Sequence, residues 1–111
     1  MLLLTWATKE VCEMLMLAVH QVPSLTQEKY EEVVRRLTDG KKSRPDSLSD
    51  FPFAGLLVHA AGQGANGFWI IDVWESEEAI ARFREVIAPI VEEVGIDDPP
   101  EFFPAHTFIS R

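Results

Sequence analysis

The chain has 111 residues, of which 47% are hydrophobic and 25% charged, so it has room for one globular domain. Its net charge of −8 argues against a nucleic-acid-binding protein, which needs a basic face, and disfavours binding to an anionic membrane surface. The single cysteine, Cys12, cannot form an intrachain disulfide and fits a reducing compartment. We therefore expect a cytoplasmic protein.

The first residues are apolar, but their sequence predicts neither a membrane-spanning segment nor a signal peptide. Leu2–Leu4 is far too short to span a bilayer, and it lacks the basic region of a signal peptide. Met14 and Met16 stand at the start of the first clear strand pattern. Residues 1–13 are predicted to be an extension, or the product of an overcalled start, before a domain at 14–111.

The first half of this domain predicts a strand, a helix and a loop. Met14–Val22 is a nearly continuous apolar run that ends at Pro23, as in a buried strand. Ser24 and Thr26 are competing N-caps for an amphipathic helix that ends at Gly40. The polar segment Lys41–Pro52 is a long loop, and such loops form either the wall of a site or a plain connector.

The second half predicts a hairpin, a helix and a last strand. Ala54–Ala61 and Phe68–Glu75 flank a glycine-rich turn, and Ser76 then caps a helix that ends at Gly95. Pro89 is expected to kink or split this helix, and Phe102–Ile109 is the last strand. The order β-α-β-β-α-β predicts an α+β, ferredoxin-like fold with a four-stranded antiparallel sheet.

Several segments together resemble a known superfamily. They are Leu57–Gly62, Gly67–Ser76 and Phe103–His106, with Phe83, Pro89 and Gly95 between them. This pattern resembles the dimeric α/β barrel superfamily, and within it small bacterial proteins related to the antibiotic-biosynthesis monooxygenases. The resemblance covers residues 14–110, and the strand-to-helix junction Asp72–Ser76 is its most specific part.

The resemblance implies a homodimer in which two four-stranded sheets face each other and close an eight-stranded barrel. It also implies a pocket between the sheet and helices of each protomer. The superfamily includes cofactor-free monooxygenases, haem-degrading enzymes, isomerases and proteins without known activity, so the fold does not fix the function.

Asp72 is the residue that most strongly suggests a site, because a carboxylate within an apolar strand needs a partner. If Gln63 pairs with Phe68 around the turn, His59 lies directly opposite Asp72, at a Cβ separation of about 4.5–5.5 Å. A histidine oriented by an aspartate is a good general base. The alternative is a purely structural polar pair in the core or at the dimer interface.

Four further residues are candidates for substrate binding, namely His106, Trp69, Trp74 and Tyr30. Aromatic walls with a histidine base suit a flat, electron-rich phenol or quinol. The alternative is that the aromatic residues are ordinary core and that His106 is an exposed edge residue. His20, His59 and His106 lie on different predicted strands without the spacing of metal ligands, so we expect no metal and no other cofactor.

Two functions follow from these features. The first is a small protein of the antibiotic-biosynthesis-monooxygenase type that binds or oxidises an aromatic small molecule without metal. The second is a non-catalytic dimeric α/β barrel module, stress-related or uncharacterised, in which His59 and Asp72 only stabilise the fold.

Overall fold

A computed structural model describes residues 15–111. The elements follow the predicted order: β1 (Met16–His20), α1 (Gln27–Leu37), a short 3-10 turn (Leu48–Asp50), β2 (Leu56–Gly64), β3 (Gly67–Trp74), α2 (Glu77–Val94) and β4 (Glu101–Pro104). The extension predicted at residues 1–13 lies outside the described residues, and that prediction stays open.

The four strands form one antiparallel sheet in the order β2-β3-β1-β4. This arrangement confirms the predicted α+β, ferredoxin-like fold. β2 and β3 form a hairpin around Ala65 and Asn66, with Gly64 opposite Gly67. Gly67 has a φ of 141°, which a residue with a Cβ atom rarely adopts, so the glycine allows the tight turn that sets the hairpin register.

The two faces of the sheet differ in what covers them. Alternate residues of β1 and β3, among them Ala18, Phe68 and Trp74, pack beneath the helices and form the core. The opposite side, which we call the open face, carries large apolar side chains that remain exposed, including Leu57, Val58, Trp69 and Ile71. The helices therefore cover one face of the sheet only.

Both helices begin and end with local hydrogen bonds. Thr26 caps α1 by accepting from the Lys29 amide, whereas Ser24, the competing candidate, accepts from the Asp97 amide and ties two loops together. Ser76 caps α2, and Gly95 ends it with a φ of 92°. No helix within residues 15–111 is long and apolar enough to cross a membrane.

Pro89 does not split α2, which runs unbroken from Glu77 to Val94. Proline lacks the amide hydrogen that would continue the helical ladder. Here Pro89 is exposed, and its neighbours Ile87, Ile90 and Val91 pack against the core cluster around Phe68. The packing of that apolar face outweighs the loss of one hydrogen bond.

The last strand is much shorter than predicted, because β4 ends at Pro104 and not at Ile109. Pro104 pairs with Met16, the first residue of β1, and one more backbone bond joins the Ala105 amide to the Leu15 carbonyl. His106 therefore follows the strand and does not lie on it, which corrects the placement expected from the sequence.

Candidate functional site

A cavity of about 570 Å³ lies between the helix-covered face of the sheet and the two helices. Its walls are mostly aliphatic and aromatic, with contributions from all four strands, both helices and the loop before β2. This volume is within the range of small-molecule sites, and an apolar wall with few polar groups is typical of them. The polar groups in the wall therefore indicate what chemistry the cavity can support.

His59 and Asp72 form the central polar pair of this wall. The hairpin places them directly opposite each other on β2 and β3, and His59 Nδ1 lies 2.7 Å from Asp72 Oδ1. Only 14% of the His59 side chain and 10% of the Asp72 side chain are exposed to solvent. Asp72 is the only buried charged residue in the part of the chain that the structure describes. Its desolvation is offset by this short hydrogen bond.

Tyr30 extends this pair into a chain of three residues. The hydroxyl oxygen of Tyr30, on α1, lies 2.7 Å from His59 Nε2. An aspartate carboxylate can only accept hydrogen bonds, so Nδ1 carries the proton of the neutral imidazole and Nε2 is its acceptor. Tyr30 is therefore the donor to Nε2. Each residue of the chain donates to the next, from the Tyr30 hydroxyl to His59 and from His59 to the Asp72 carboxylate.

Tyr30 holds its proton tightly in this environment. Burial, and then the negative charge of Asp72, raises the pKa of Tyr30 from 10.0 to about 12. The ring of Tyr30 stacks on His59 at a centroid distance of 5.8 Å and packs against Phe68 at 5.2 Å. Tyr30 is thus a neutral, fixed hydrogen-bond donor at ordinary pH.

The polar loop between α1 and β2 forms part of the cavity wall. Lys42 Nζ lies 2.9 Å from Asp50 Oδ1, and Asp50 also accepts from the Asp46 and Ser47 amides, which closes the loop into a compact unit. The loop then delivers Phe51, whose ring meets His59 edge-on at 4.9 Å, and Phe53, which packs on Phe83. Phe51 and Phe53 both line the cavity, so this loop contributes to the cavity wall.

Trp74 is the other predicted binding residue that lines the cavity. Its side chain is fully buried and packs against Phe83 at a centroid distance of 4.7 Å. Its indole Nε1 has no hydrogen-bond partner within residues 15–111. A buried donor without a partner costs about 1–3 kcal/mol. The indole N–H of Trp74 is therefore a polar group beside the cavity whose hydrogen-bonding capacity is not used.

Two predicted binding residues lie outside the cavity. Trp69 sits opposite Gly62 on the open face, because strand residues alternate between faces and Trp69 differs in parity from Asp72 and Trp74. His106 follows β4, is exposed, and has its Nδ1 2.6 Å from Thr107 Oγ1. His20 lines the cavity, and its Nε2 donates to the Asp98 carbonyl. No group of three potential metal ligands occurs within the described residues.

Arg84 is a cavity residue that the sequence analysis did not identify. Its guanidinium lies 4.6 Å from the ring centre of Phe102, and both side chains line the cavity. The helical spacing indicates this position, because Arg84 lies four residues after Ile80 and three before Ile87, on the apolar face of α2. This places a cation at a wall that is otherwise mostly apolar.

No family model matches the sequence, and a search of curated proteins finds no match. Among solved structures, the chain is similar to a monooxygenase from the gene ActVA-Orf6 of Streptomyces coelicolor, determined in complex with the ligand nanaomycin D. The identity is 18% and the TM-score 0.47, over 90% of this chain and 94% of that chain. The similarity is therefore one of fold.

Alkaline titration tests the environment of Tyr30 directly, because Tyr30 is the only tyrosine in the chain. Phenolate absorbance should report a pKa of about 12 in the folded protein, above the ordinary value of 10.0. Since the pKa is raised on folding, neutral Tyr30 contributes stability that is complete below pH 10.0 and is lost as the pH rises through about 12.

The Asp72→Asn variant tests whether the negative charge of Asp72 contributes to the raised pKa of Tyr30. Removing the negative charge should lower the pKa of Tyr30, because the charge of Asp72 is the second contribution to its rise. Glu78→Gln, an equal change of charge at an exposed position of α2, should leave the titration unchanged. A Tyr30 pKa near 10.0 in the native, folded protein would contradict the described geometry.

Proposed function

We propose that this chain is a homodimeric protein of the antibiotic-biosynthesis-monooxygenase type that binds a flat, hydroxylated aromatic molecule in the cavity of each protomer. His59, oriented by Asp72, is the base that takes up the proton of the ligand hydroxyl, and neither a metal nor an organic cofactor takes part. The observation that carries this proposal is the buried His59–Asp72 hydrogen bond in the wall of an apolar cavity.

The walls of the cavity favour an aromatic ligand. The rings of Phe51, Phe53 and Phe83 offer flat apolar surfaces, and aromatic pairs gain about 0.5–1.5 kcal/mol beyond the burial of area. A ligand hydroxyl that loses its proton becomes a phenolate, the electron-rich form that reacts with O₂. Uptake of that proton is the step that His59 contributes.

The competing function is a non-catalytic module in which His59 and Asp72 only stabilise the sheet. The cavity favours the first proposal, because a concave, mostly apolar space with a few polar groups in its wall is typical of small-molecule sites. A pair with a purely structural role needs no space beside it. We therefore place His59 and Asp72 in a binding site, with Tyr30 and Trp74 as the predicted wall residues that accompany them.

The open face supports the proposed dimer. Leu57, Val58, Trp69 and Ile71 are large apolar side chains on adjacent strands, and each is between 36% and 44% exposed. A second copy of the same sheet would cover these side chains and close a barrel, as the sequence resemblance implies. In this proposal Trp69 belongs to the dimer interface and not to the binding site.

Blocking the cavity tests the binding proposal. Ala88 lines the cavity from an exposed position of α2, whereas Ala81 is exposed on the same helix and does not line it. Ala88→Trp should weaken the binding of umbelliferone, a flat two-ring phenol, by about tenfold or more, which corresponds to about 1.4 kcal/mol. Fluorescence titration measures both affinities, and Ala81→Trp should bind like the native protein. Equal affinity of the two variants would place the ligand elsewhere.

A lysine on the open face tests the dimer. Ile71→Lys places a charge where the second sheet is proposed to pack, so we expect this variant to be monomeric with its helical content unchanged. Val86→Lys is the matched control, because Val86 is 42% exposed on α2 and Ile71 is 44% exposed on the sheet. Light scattering during gel filtration gives the masses. A native protein of monomer mass would refute the dimer.

A further inference from the structure

His59 has no nitrogen free to receive a proton from a ligand. Its Nδ1 is engaged by Asp72 and its Nε2 by the Tyr30 hydroxyl, each at 2.7 Å. A ligand that gave its proton directly to Nε2 would first have to displace Tyr30. The Tyr30 ring is held by stacking on His59 and by contact with Phe68, so displacement breaks several contacts at once.

We propose that Tyr30 relays the proton, so that the ligand hydroxyl contacts the Tyr30 oxygen and not His59. This inference rests on the proposed function and adds the residue through which the base acts. A hydroxyl has one donor and two acceptor sites. The Tyr30 hydroxyl donates to His59 Nε2, and its oxygen therefore remains an acceptor on the wall of the cavity.

The relay moves two protons and breaks two O–H bonds. The ligand O–H bond breaks as its proton bonds to the Tyr30 oxygen, and the Tyr30 O–H bond breaks as its proton bonds to His59 Nε2. The ligand becomes a phenolate, Tyr30 is again neutral, and His59 becomes an imidazolium that still donates to the Asp72 carboxylate. The total charge is unchanged, and no oxidant or reductant is required for this step.

Tyr30 has the properties that a relay needs. Its raised pKa, about 12, means that it does not remain ionised, so it releases a proton only as it receives one. The negative charge of Asp72 stabilises the imidazolium formed at the far end of the chain, through the same hydrogen bond that fixes the tautomer. The three residues come from α1, β2 and β3, so the packed fold holds them in line.

The relay also defines which ligands are selected. The Tyr30 hydroxyl donates its proton to His59, so its oxygen can only accept a hydrogen bond from a ligand. The ligand group that contacts Tyr30 must therefore be a donor to form that bond. A phenol makes this hydrogen bond to the Tyr30 oxygen, whereas a ketone or an ether at the same position gains none and binds through the apolar wall alone. The proposal therefore commits to a ligand with a free aromatic hydroxyl that points at α1.

Umbelliferone and its methyl ether test the relay. Umbelliferone absorbs at longer wavelength when it ionises, and at a pH where the free dye is mostly phenol we expect the dye bound to the native protein to be mostly phenolate. Tyr30→Phe keeps the ring and removes the hydroxyl. In this variant the ratio of phenolate to phenol in the bound dye should fall by about tenfold, which is one pKa unit.

The methyl ether has no proton to give, and its affinity checks that the cavity of Tyr30→Phe is intact. We expect it to bind the native protein and the variant equally, to within about threefold, or about 0.7 kcal/mol. Melting temperature and circular dichroism verify that the variant folds. His59→Gln, which retains Tyr30 but cannot take up the proton, should lose the phenolate band as Tyr30→Phe does.

The outcomes separate the relay from the function on which it rests. A phenolate fraction in Tyr30→Phe equal to that of the native protein, with loss of the band in His59→Gln, would overturn the relay and leave His59 as a direct base. Dye that stays a phenol in the native protein, or that does not bind to it, would overturn both proposals. Loss of the band in both variants, with the methyl ether still bound, supports the relay.

Discussion

The hydrogen bond between His59 and Asp72 is the interaction on which the arrangement of the cavity depends. It joins the two strands of the hairpin on the face that the helices cover, where a carboxylate without a partner would be strongly unfavourable. A slip of one residue in the hairpin would send one of the pair to the open face and leave the other unpaired. The turn at Gly64–Gly67 and the buried polar pair therefore favour the same register.

The rest of the site is arranged around that pair. Asp72 fixes the tautomer of His59, and the tautomer decides that Tyr30 must donate to it. The loop held by Lys42 and Asp50 brings Phe51 against the imidazole ring, so the edge of the pair is shielded from solvent. The chain of Tyr30, His59 and Asp72 thus lies within an apolar wall, and the charge of Asp72 is buried. The side chains of His59 and Asp72 are only 14% and 10% exposed, so their hydrogen bond is largely shielded from bulk solvent.

The strand and helix pattern was predictable because it depends on short-range signals. Ser76 and Gly95 bound α2 as their cap chemistry requires, and the glycine-rich turn sets the register that brings His59 opposite Asp72. The position of Trp74 inside and Trp69 outside also follows from alternation along β3, once Asp72 defines the inner face. Alternation predicts that Trp69 and Trp74 lie on opposite faces of this strand, so only one of these two candidate binding residues could face the helices.

The remaining features depend on tertiary distances that no local pattern encodes. The contact of Tyr30 with His59 requires the separation of α1 from the sheet, and the same apolar spacing would place Tyr30 in a plain core. The length of β4 depends on where its partner β1 begins, so the position of His106 could not be read from its own segment. Pro89 stays within α2 because packing of the opposite face outweighs its local effect.

The position of the proton on the His59 ring decides how the three residues interact, and nitrogen-15 NMR of the imidazole side chains measures it. The signals of His59 are assigned by their loss in His59→Gln, which distinguishes them from those of His20 and His106. At neutral pH we predict the tautomer with the proton on Nδ1 and a bare, hydrogen-bond-accepting Nε2. A proton on Nε2 with a bare Nδ1 would be incompatible with the hydrogen bonds proposed from Tyr30 to His59 and from His59 to Asp72.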